Sequence, residues 1–303
     1  MNPPVSNAGY DLFYGPEYVG AAYEFDTTRK ARWIAESLAA APIAGIRLVE
    51  PRSLTLEEVA AVHDPRYVHA VRDGAPRELA ESQGFQWDEG LWRMVVATNG
   101  GAVAAARSAL GRGVAGSLSS GLHHARRDRG AGNCTFNGLV LAARAALDEG
   151  ADSVLILDLD AHCGGGTASL IAEDPRIHQC DVSVVSFDAY PGRGQAQLDV
   201  VRDAAAYLPA IERMLASVEA ASFDLCIYNA GVDPFEGCDV GGMRGVTMDV
   251  LDRRERLVFD WCRSRGTPVA FVLAGGYVAP RLDRETLVAL HRQTIVAAAT
   301  ATS

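Results

Sequence analysis

Two aspartates and a histidine alternate along one short segment near the middle of the chain. The run DLDAH occupies positions 158–162 and follows the apolar residues Val154–Leu157. In an extended segment, Asp158, Asp160 and His162 point the same way. Burying two neighbouring carboxylates is costly unless a cation or a proton neutralises them. The spacing therefore predicts a metal held by Asp160 and His162, with Asp158 orienting a second group; a helix N-cap in a polar loop is the alternative interpretation.

A further acid follows another apolar run. Asp233 comes shortly after Leu225–Tyr228 and directly before Pro234, and taken alone it is most simply a turn residue. Beside the DLDAH run it becomes a natural third ligand. Two carboxylates, one imidazole and an open fourth position are typical of a catalytic metal site. The ligand set suits Zn²⁺, and Fe²⁺, Mn²⁺ or Co²⁺ can substitute for it.

Two adjacent histidines lie in a glycine-flanked loop after the apolar run Val114–Leu118. Neighbouring residues in a loop can both face a cleft, whereas on a strand His123 and His124 would diverge. At a metal site, one imidazole can take a proton from water and later give one to a leaving group. An isolated pair of this kind is more often found on a surface loop.

The last apolar run ends in two glycines and a tyrosine. Gly275 and Gly276 allow the backbone to turn sharply and to approach a ligand closely. Tyr277 then presents a phenol, which beside a metal can donate a hydrogen bond to a developing oxyanion. Without the other motifs, Tyr277 would be read as a structural residue.

All these candidates follow short apolar runs that are typical of buried strands. The runs are apolar on both faces, as expected when helices cover both sides of a parallel sheet. The clearest runs are Ile46–Val49, Val154–Leu159, Val182–Phe187, Leu225–Tyr228 and Val269–Leu273. Apolar residues spaced i, i+3 and i+4 predict helices over Thr28–Ala41, Leu91–Leu110, Asn137–Leu147, Ala204–Ala220, Met248–Arg265 and Arg284–Ala299.

The alternation of strands and helices predicts a three-layer α/β/α fold with a mainly parallel sheet. We expect one domain over residues 1–303, with Thr55 as the N-cap of an additional helix. In such sheets, ligands bind outside the carboxyl ends of the strands. The candidate residues follow those ends, so we expect them to meet at one site.

Composition excludes several other classes of protein. The 303 residues carry a net charge of -10, which argues against nucleic acid as a partner bound through bulk charge. No apolar stretch approaches the ~18 residues that span a bilayer, which argues against a membrane protein. The segment Met1–Asp11 lacks the pattern of a signal peptide, and none of the cysteines forms a CxxC pair. We therefore expect a cytoplasmic protein.

Together, the motifs resemble those of the histone deacetylase family, which has the arginase/deacetylase fold. The matching segments are Gly121–Arg127, Asp158–Thr167, Ala230–Pro234 and Gly275–Tyr277, and Val62–Val68 resembles the family's N-terminal helical segment. The resemblance covers most of the chain. It implies a zinc-dependent hydrolase that removes an acyl group from an N-acyl amine by means of metal-activated water.

The resemblance also implies roles for the metal-site residues and the paired histidines. Asp160, His162 and Asp233 resemble the three zinc ligands. His124 resembles the general base, and His123 resembles its electrostatic or general-acid partner. The implied chemistry is metal-assisted amide hydrolysis.

Further roles follow from the same resemblance. Asp158 resembles the carboxylate that pairs with His123, and Tyr277 resembles the tyrosine that polarises the scissile carbonyl. A monovalent cation site, for K⁺, is implied at Asp158, Asp160, His162 and Ser183.

Five residues resemble substrate-binding positions. Gly132 resembles the tunnel-wall glycine whose carbonyl accepts from the substrate amide. Asn133 stands where the family usually has an aromatic wall residue, which makes that wall polar. Tyr190 is expected to supply the opposite wall, with Gly275 and Gly276 close to the substrate.

Two further departures from the family pattern concern the general base and a loop. The usual carboxylate or amide partner of the second histidine is replaced by Gly165. We therefore expect His124 to lack its orienting acid, with lower basicity and slower turnover. The loop Ser186–Gly192 is shorter than the family's.

Alternative functions remain open at this point. An inactive, ligand-binding homologue is favoured only by the loss of the partner of His124. An arginase-type ureohydrolase needs an acid at the position of Gly164, where a second metal would lose a ligand. Acetylated protein lysine, an acetylpolyamine and a small N-acyl metabolite all remain candidate substrates, and homo-oligomerisation is open.

Overall fold

Parallel strands form one central sheet in a computed structural model that describes residues 9–23 and 25–301. Within these residues the sheet has eight strands in the order β2-β1-β3-β8-β7-β4-β5-β6. The strands are β1 (Tyr10–Phe13), β2 (Ile46–Val49), β3 (Val114–Ser117), β4 (Val154–Asp158), β5 (Ile177–Ser183), β6 (Ala196–Val200), β7 (Leu225–Asn229) and β8 (Val269–Val272). Every neighbouring pair is parallel. The predicted α/β architecture is confirmed, and the sheet is wholly parallel rather than mainly so.

Helices cover both faces of this sheet. They are α1 (Lys30–Ala40), α2 (Leu56–Ala60), α3 (Pro65–Asp73), α4 (Arg77–Ala80), α5 (Leu91–Arg112), α6 (Gly138–Asp148), α7 (Gly165–Ile171), α8 (Ala204–Ser217), α9 (Met248–Arg265) and α10 (Arg284–Ala301). In β4, Leu155 and Leu157 pack into a core with α1, α8, α9 and α10. Val154 and Ile156 point the other way, into a core with α3, α5 and α6. A strand buried on both faces must be apolar at every position, which explains the uninterrupted run.

The predicted helix boundaries agree closely with the structure, and the cap at Thr55 is a full capping box. The Thr55 side chain accepts from the amide of Glu58, while the Glu58 carboxylate accepts from the amide of Thr55. Each residue thus satisfies an amide that the first turn of a helix leaves without a partner.

The prediction for the strand near residue 182 was wrong in its bounds. The strand is β5, Ile177–Ser183, and residues 184–187 belong to the loop that follows. The short strands β1 and β6 were not predicted. All five residues of β6 are only half-buried, since this strand forms the edge of the sheet, and its polar side chains hide the apolar signal.

The strand order brings the candidate loops together. β3, β8, β7, β4 and β5 are consecutive in the sheet, and each leads into one of the candidate segments at its carboxyl end. Residues separated by more than 100 positions in sequence therefore meet above adjacent strands. Part of Met1–Asp11, on which the signal-peptide expectation rests, lies outside the described residues. Within the described ranges, no helix is both long and apolar enough to cross a membrane.

Candidate active site

Asp160, His162 and Asp233 form the one cluster of possible metal ligands found among the described residues. Their ligand atoms lie within 4.8 Å of one another. Nδ1 of His162 is 3.1 Å from Oδ1 of Asp160 and 3.2 Å from Oδ2 of Asp233. The loops after β4 and β7, which are neighbours in the sheet, supply these three side chains.

The surroundings of the cluster fit a divalent cation. Oδ2 of Asp233 is buried and makes no hydrogen bond of ordinary geometry among the described residues, although Nδ1 of His162 lies 3.2 Å away. The other oxygen of Asp233 accepts from the amide of Ala161 at 3.0 Å, and Oδ2 of Asp160 accepts from the amide of Gly275 at 2.8 Å. Backbone amides thus orient both carboxylates, while one oxygen is left for a cation. One nitrogen and two carboxylate ligands suit zinc and related metals.

Electrostatics in the cluster are governed by the two buried acids. Burial, followed by the charge of Asp160, raises the pKa of Asp233. Burial opposes the charged form of His162, but Asp160 and Asp233 outweigh it and raise the pKa of His162 to about 11. In the metal-free site, a proton on His162 therefore takes the place of a cation, and a metal bound there would displace it.

His123 and His124 lie together on the same cavity. Their rings are 4.1 Å apart between centroids, and their Nε2 atoms are separated by 3.1 Å. Nδ1 of His123 lies 2.7 Å from Oδ2 of Asp158, the pairing that the resemblance implies. Burial opposes a charge on His123, but Asp158 and then Asp160 outweigh it and raise the pKa of His123 to about 10. His123 therefore carries a proton at neutral pH.

The expectation that His124 lacks an orienting acid was wrong. Nδ1 of His124 lies 3.0 Å from Oδ2 of Asp188, a residue in the loop after β5. The carboxylate approaches from a different strand, so the absence of an acid at Gly165 does not leave the imidazole without a partner. Burial, followed by the charge on His123, lowers the pKa of His124 to about 4, and Asp188 opposes this shift.

The candidate substrate-binding glycines lie directly against the reactive groups. A Cβ on Gly132 would approach Cδ2 of His124 to 2.5 Å and Cε1 of Phe187 to 3.2 Å. A Cβ on Gly275 would approach Oδ2 of Asp233 to 2.2 Å. These glycines permit a close approach that any side chain would block.

Of the two residues predicted to form side walls, one lines the cavity and the other does not. Asn133 lines it. Tyr190 lies outside the lining, and its hydroxyl donates to the carbonyl of Gln197 at 3.0 Å. Phe187 stands nearer, with its ring centroid 5.0 Å from that of His124 and 6.2 Å from that of His162. The sequence missed Phe187 because it was assigned to a strand.

Tyr277 is also part of the cavity lining. Gly276, which was predicted to lie close to the substrate, is not among the lining residues. The Tyr277 ring stacks on Phe25, with centroids 5.1 Å apart and an interplanar angle of 28°. The cavity has a volume of about 30 Å³, and its lining includes His123, His124, Asp160 and Tyr277.

Of the residues proposed for a monovalent cation, Asp160 and His162 belong to the metal cluster, and Asp158 is buried next to them in sequence. Ser183 is buried, and its hydroxyl donates to Oδ1 of Asp181. Asp181 is an additional buried acid that the sequence did not single out. Burial, followed by the charge of Asp158, raises the pKa of Asp181.

Two buried basic residues support the site, and no sequence motif indicated either of them. Lys30, in α1, donates from Nζ to the carbonyl of Ala274. Burial lowers the pKa of Lys30 to about 8, and Asp233 is the strongest of the acids that oppose this shift. Arg254, in α9, donates to the carbonyls of Gly231 at 2.6 Å and Leu159 at 3.2 Å, and so ties together the loops that carry the metal ligands.

Comparisons with known proteins identify the family to which the chain is similar. The family model of the histone deacetylase domain matches residues 24–292. An uncharacterised protein of Picosynechococcus sp. is 35% identical over 225 residues, which cover 71% of this chain and 74% of that protein. Histone deacetylase 2 of Arabidopsis thaliana is 27% identical over 266 residues, covering 82% of this chain and 68% of that protein.

The fold is also found in solved structures. The crystal structure of an acetylpolyamine aminohydrolase from Burkholderia pseudomallei matches with a TM-score of 0.78 and 20% identity, covering 95% of this chain and 98% of that one. This likeness confirms the arginase/deacetylase-like fold. Because the family model spans most of the chain, the protein belongs to the histone deacetylase family and is a hydrolase of amide bonds.

Proposed function

We propose that this protein is a metal-dependent deacylase that removes an acyl group from an N-acylated amine. The observation that carries the proposal is a single cavity that these groups share. Its lining includes two of the metal-ligand candidates, Asp160 and His162, together with both tandem histidines and Tyr277. Metal ligands, proton-transfer groups and an oxyanion donor are the groups that amide hydrolysis requires.

Asp160, His162 and Asp233 would hold the cation. Zn²⁺ at this site would supply a Lewis acid for the acyl oxygen and lower the pKa of a water molecule. The residues of the chain then have to orient the substrate and move protons around that centre.

The tandem histidines divide the proton transfers between them. The low pKa of His124 leaves its imidazole neutral, and Nε2 is the nitrogen that can take up a proton. In the free site, the partner of this nitrogen is Nε2 of His123, 3.1 Å away. His123 already carries a proton, and Asp158 stabilises that charge. A histidine then protonates the departing amine, as the leaving group requires.

Tyr277 is the proposed donor to the acyl oxygen. The loop after β8 brings its ring to the cavity across from the histidines, and the stacking on Phe25 limits its movement. A donor that is already in place when negative charge develops lowers the barrier without reorganisation.

The walls of the cavity favour a slender N-acyl chain. Gly132 lies against His124, and Phe25 stacks on Tyr277; all four residues line the cavity. Phe187 is not part of the lining, but its ring centroid is 5.0 Å from that of His124. Asn133 makes part of the wall polar. Three classes of substrate share an N-acyl group on a chain that fits this lining: acyl-lysine, acetylpolyamines and small N-acyl metabolites. The name of the Arabidopsis relative suggests the first of them.

The two competing functions lose their support. A Cβ on Gly164 would meet Nε2 of Gln179 at 2.6 Å and Oδ2 of Asp158 at 2.7 Å, so these side chains fill the space that the additional acid of a ureohydrolase would need. The inactive-homologue hypothesis relied on a missing partner for His124, and Asp188 supplies one.

The proposal is tested with purified protein loaded with Zn²⁺ and assayed on an acetyl-lysine peptide and on acetylated polyamines. We expect amine release from at least one of them, and none from Asp160→Ala, which loses the metal. If the wild-type protein binds one metal per chain and releases no amine from any N-acyl substrate, the proposed activity is wrong.

Tyr277→Phe tests the proposed oxyanion donor. Loss of one such donor typically lowers kcat by about 10²- to 10³-fold, while metal content should stay at the wild-type level. Turnover equal to that of the wild type would refute the role given to Tyr277.

A further inference from the structure

Asp188 supplies to His124 a carboxylate that the motif after His162 lacks. Position 165 follows the metal-binding segment, and there the chain has glycine. The carboxylate of Asp188 instead reaches Nδ1 of His124 from the loop after β5. We propose that Asp188 is the positioning residue of the general base, which fixes the orientation and the tautomer of His124. This inference rests on the proposed function.

Two groups other than His124 hold the Asp188 carboxylate. Nη2 of Arg126 donates to its Oδ1, and the amide of Gly166 donates to its Oδ2 at 3.2 Å. Nη1 of the same arginine donates to the carbonyl of Gly165 at 3.1 Å. The histidine loop, the start of α7 and the loop after β5 are therefore locked together around one carboxylate. Its side chain is only 11% exposed, so water competes weakly for these bonds.

Glycine at position 165 is a condition for this arrangement. A Cβ there would lie 2.3 Å from the carbonyl oxygen of Asp188 and 2.6 Å from its Oδ1. Both distances are well below any real contact of a Cβ. An acid at position 165 is therefore incompatible with the present position of Asp188. This chain has glycine at position 165 and uses Asp188 instead.

The backbone of Asp188 also departs from ordinary geometry. Its φ is +61°, in the left-handed region that costs about 1 kcal/mol for a residue with a side chain, although aspartate tolerates it better than most. Strain of this kind persists where surrounding contacts enforce it, and it is frequent at functional sites. Here it accompanies a carboxylate that points toward His124, while the ring centroid of the neighbouring Phe187 lies 5.0 Å from that of His124.

The consequence for chemistry is a defined tautomer. An imidazole whose Nδ1–H donates to a carboxylate keeps its lone pair on Nε2. In His124 that nitrogen is the one near Nε2 of His123. Asp188 thus presents the correct nitrogen of His124 for accepting a proton, without itself touching the substrate.

The test compares Asp188→Asn and Asp188→Gly with the control Asp128→Asn. Asparagine keeps the size and an acceptor but loses the charge, and glycine suits a φ of +61°. Asp128, two residues beyond Arg126, is exposed and pairs with Arg129, so its variant removes a nearby charge outside the site. We expect kcat to fall about 10- to 100-fold in both Asp188 variants, as for other supporting partners of active-site groups, with KM within about twofold, and no change in the control.

A spectroscopic readout makes the test independent of turnover. In ¹⁵N-histidine NMR spectra we expect wild-type His124 to be protonated at Nδ1 only, and Asp188→Gly to show a mixture of tautomers. Added formate should restore part of the kcat of Asp188→Gly. Unchanged kcat together with an unchanged tautomer would overturn the inference, as would an effect confined to KM. If the wild-type protein has no deacylase activity, the proposed function fails while the NMR comparison still decides the role of Asp188.

Discussion

Gly275→Ala is expected to damage the metal site while leaving most of the fold intact. The amide of Gly275 donates to Oδ2 of Asp160 at 2.8 Å, so the backbone at this position already lies against a ligand. A Cβ there would lie 2.2 Å from Oδ2 of Asp233 and 2.6 Å from Oδ2 of Asp160. The added methyl group therefore enters the space between the two carboxylates.

The size of the effect follows from these distances. Reaching an ordinary contact of 3.4 Å requires the Asp233 oxygen to move by 1.2 Å and the Asp160 oxygen by 0.8 Å. Metal sites hold their ligands to about 0.2 Å, so neither carboxylate can stay in place. We expect metal affinity to fall at least about 100-fold, or about 2.7 kcal/mol. Overpacking of this kind lowers the free energy of unfolding by about 1–3 kcal/mol.

The assay is a Zn²⁺ titration of metal-stripped protein against a competing chelator, with urea unfolding of the metal-free form measured in parallel. Gly111→Ala is the matched control, because it makes the same change in α5 where a Cβ meets nothing within 4 Å. We expect Gly111→Ala to bind Zn²⁺ like the wild type and to be equally or slightly more stable. If Gly275→Ala binds Zn²⁺ as tightly as Gly111→Ala, Asp160 and Asp233 do not form the metal site.

Two further substitutions probe the support of the site and its wall. Arg254→Met leaves the carboxylate of Glu255 buried without its cation, so urea unfolding should show that the free energy of unfolding falls by about 3–5 kcal/mol. The double variant Arg254→Met/Glu255→Gln should lose clearly less of this free energy. An equal loss in both variants would refute the ion-pair explanation. Phe187→Ala removes the ring beside His124 and should raise KM several-fold with a smaller change in kcat. A large fall in kcat at constant KM would instead place Phe187 in the chemistry.

The parts of the molecule that the sequence could predict are those with local signals. A strand buried on both faces, such as β4, is apolar throughout, and the DLDAH run at its end has the spacing of converging ligands. The capping box at Thr55 is equally local, since both partners lie within four residues. The edge strand β6 lacks such a signal because its side chains are only half-buried.

The contacts that the sequence could not predict join distant segments through the fold. Lys30 carries no motif, and its position beside Ala274 depends on how α1 packs against the loop after β8. Asp188 follows a run that was assigned to a strand, so its turn toward His124 could not be anticipated. One signal was present: a glycine where the family places an acid implies that some other residue fills that space.

The pairing of Asp188 with His124 shows why motif position and chemical role have to be separated. A general base needs a partner on its second nitrogen, and that requirement concerns the place of a carboxylate in space rather than its position in sequence. Because β4 and β5 are neighbours in the sheet, the loops that follow them share the wall behind His124, and either can deliver the carboxylate. Steric exclusion between position 165 and Asp188 then permits one solution at a time. A chain with glycine in the motif can therefore retain a complete base, provided that the next loop turns an acid inward.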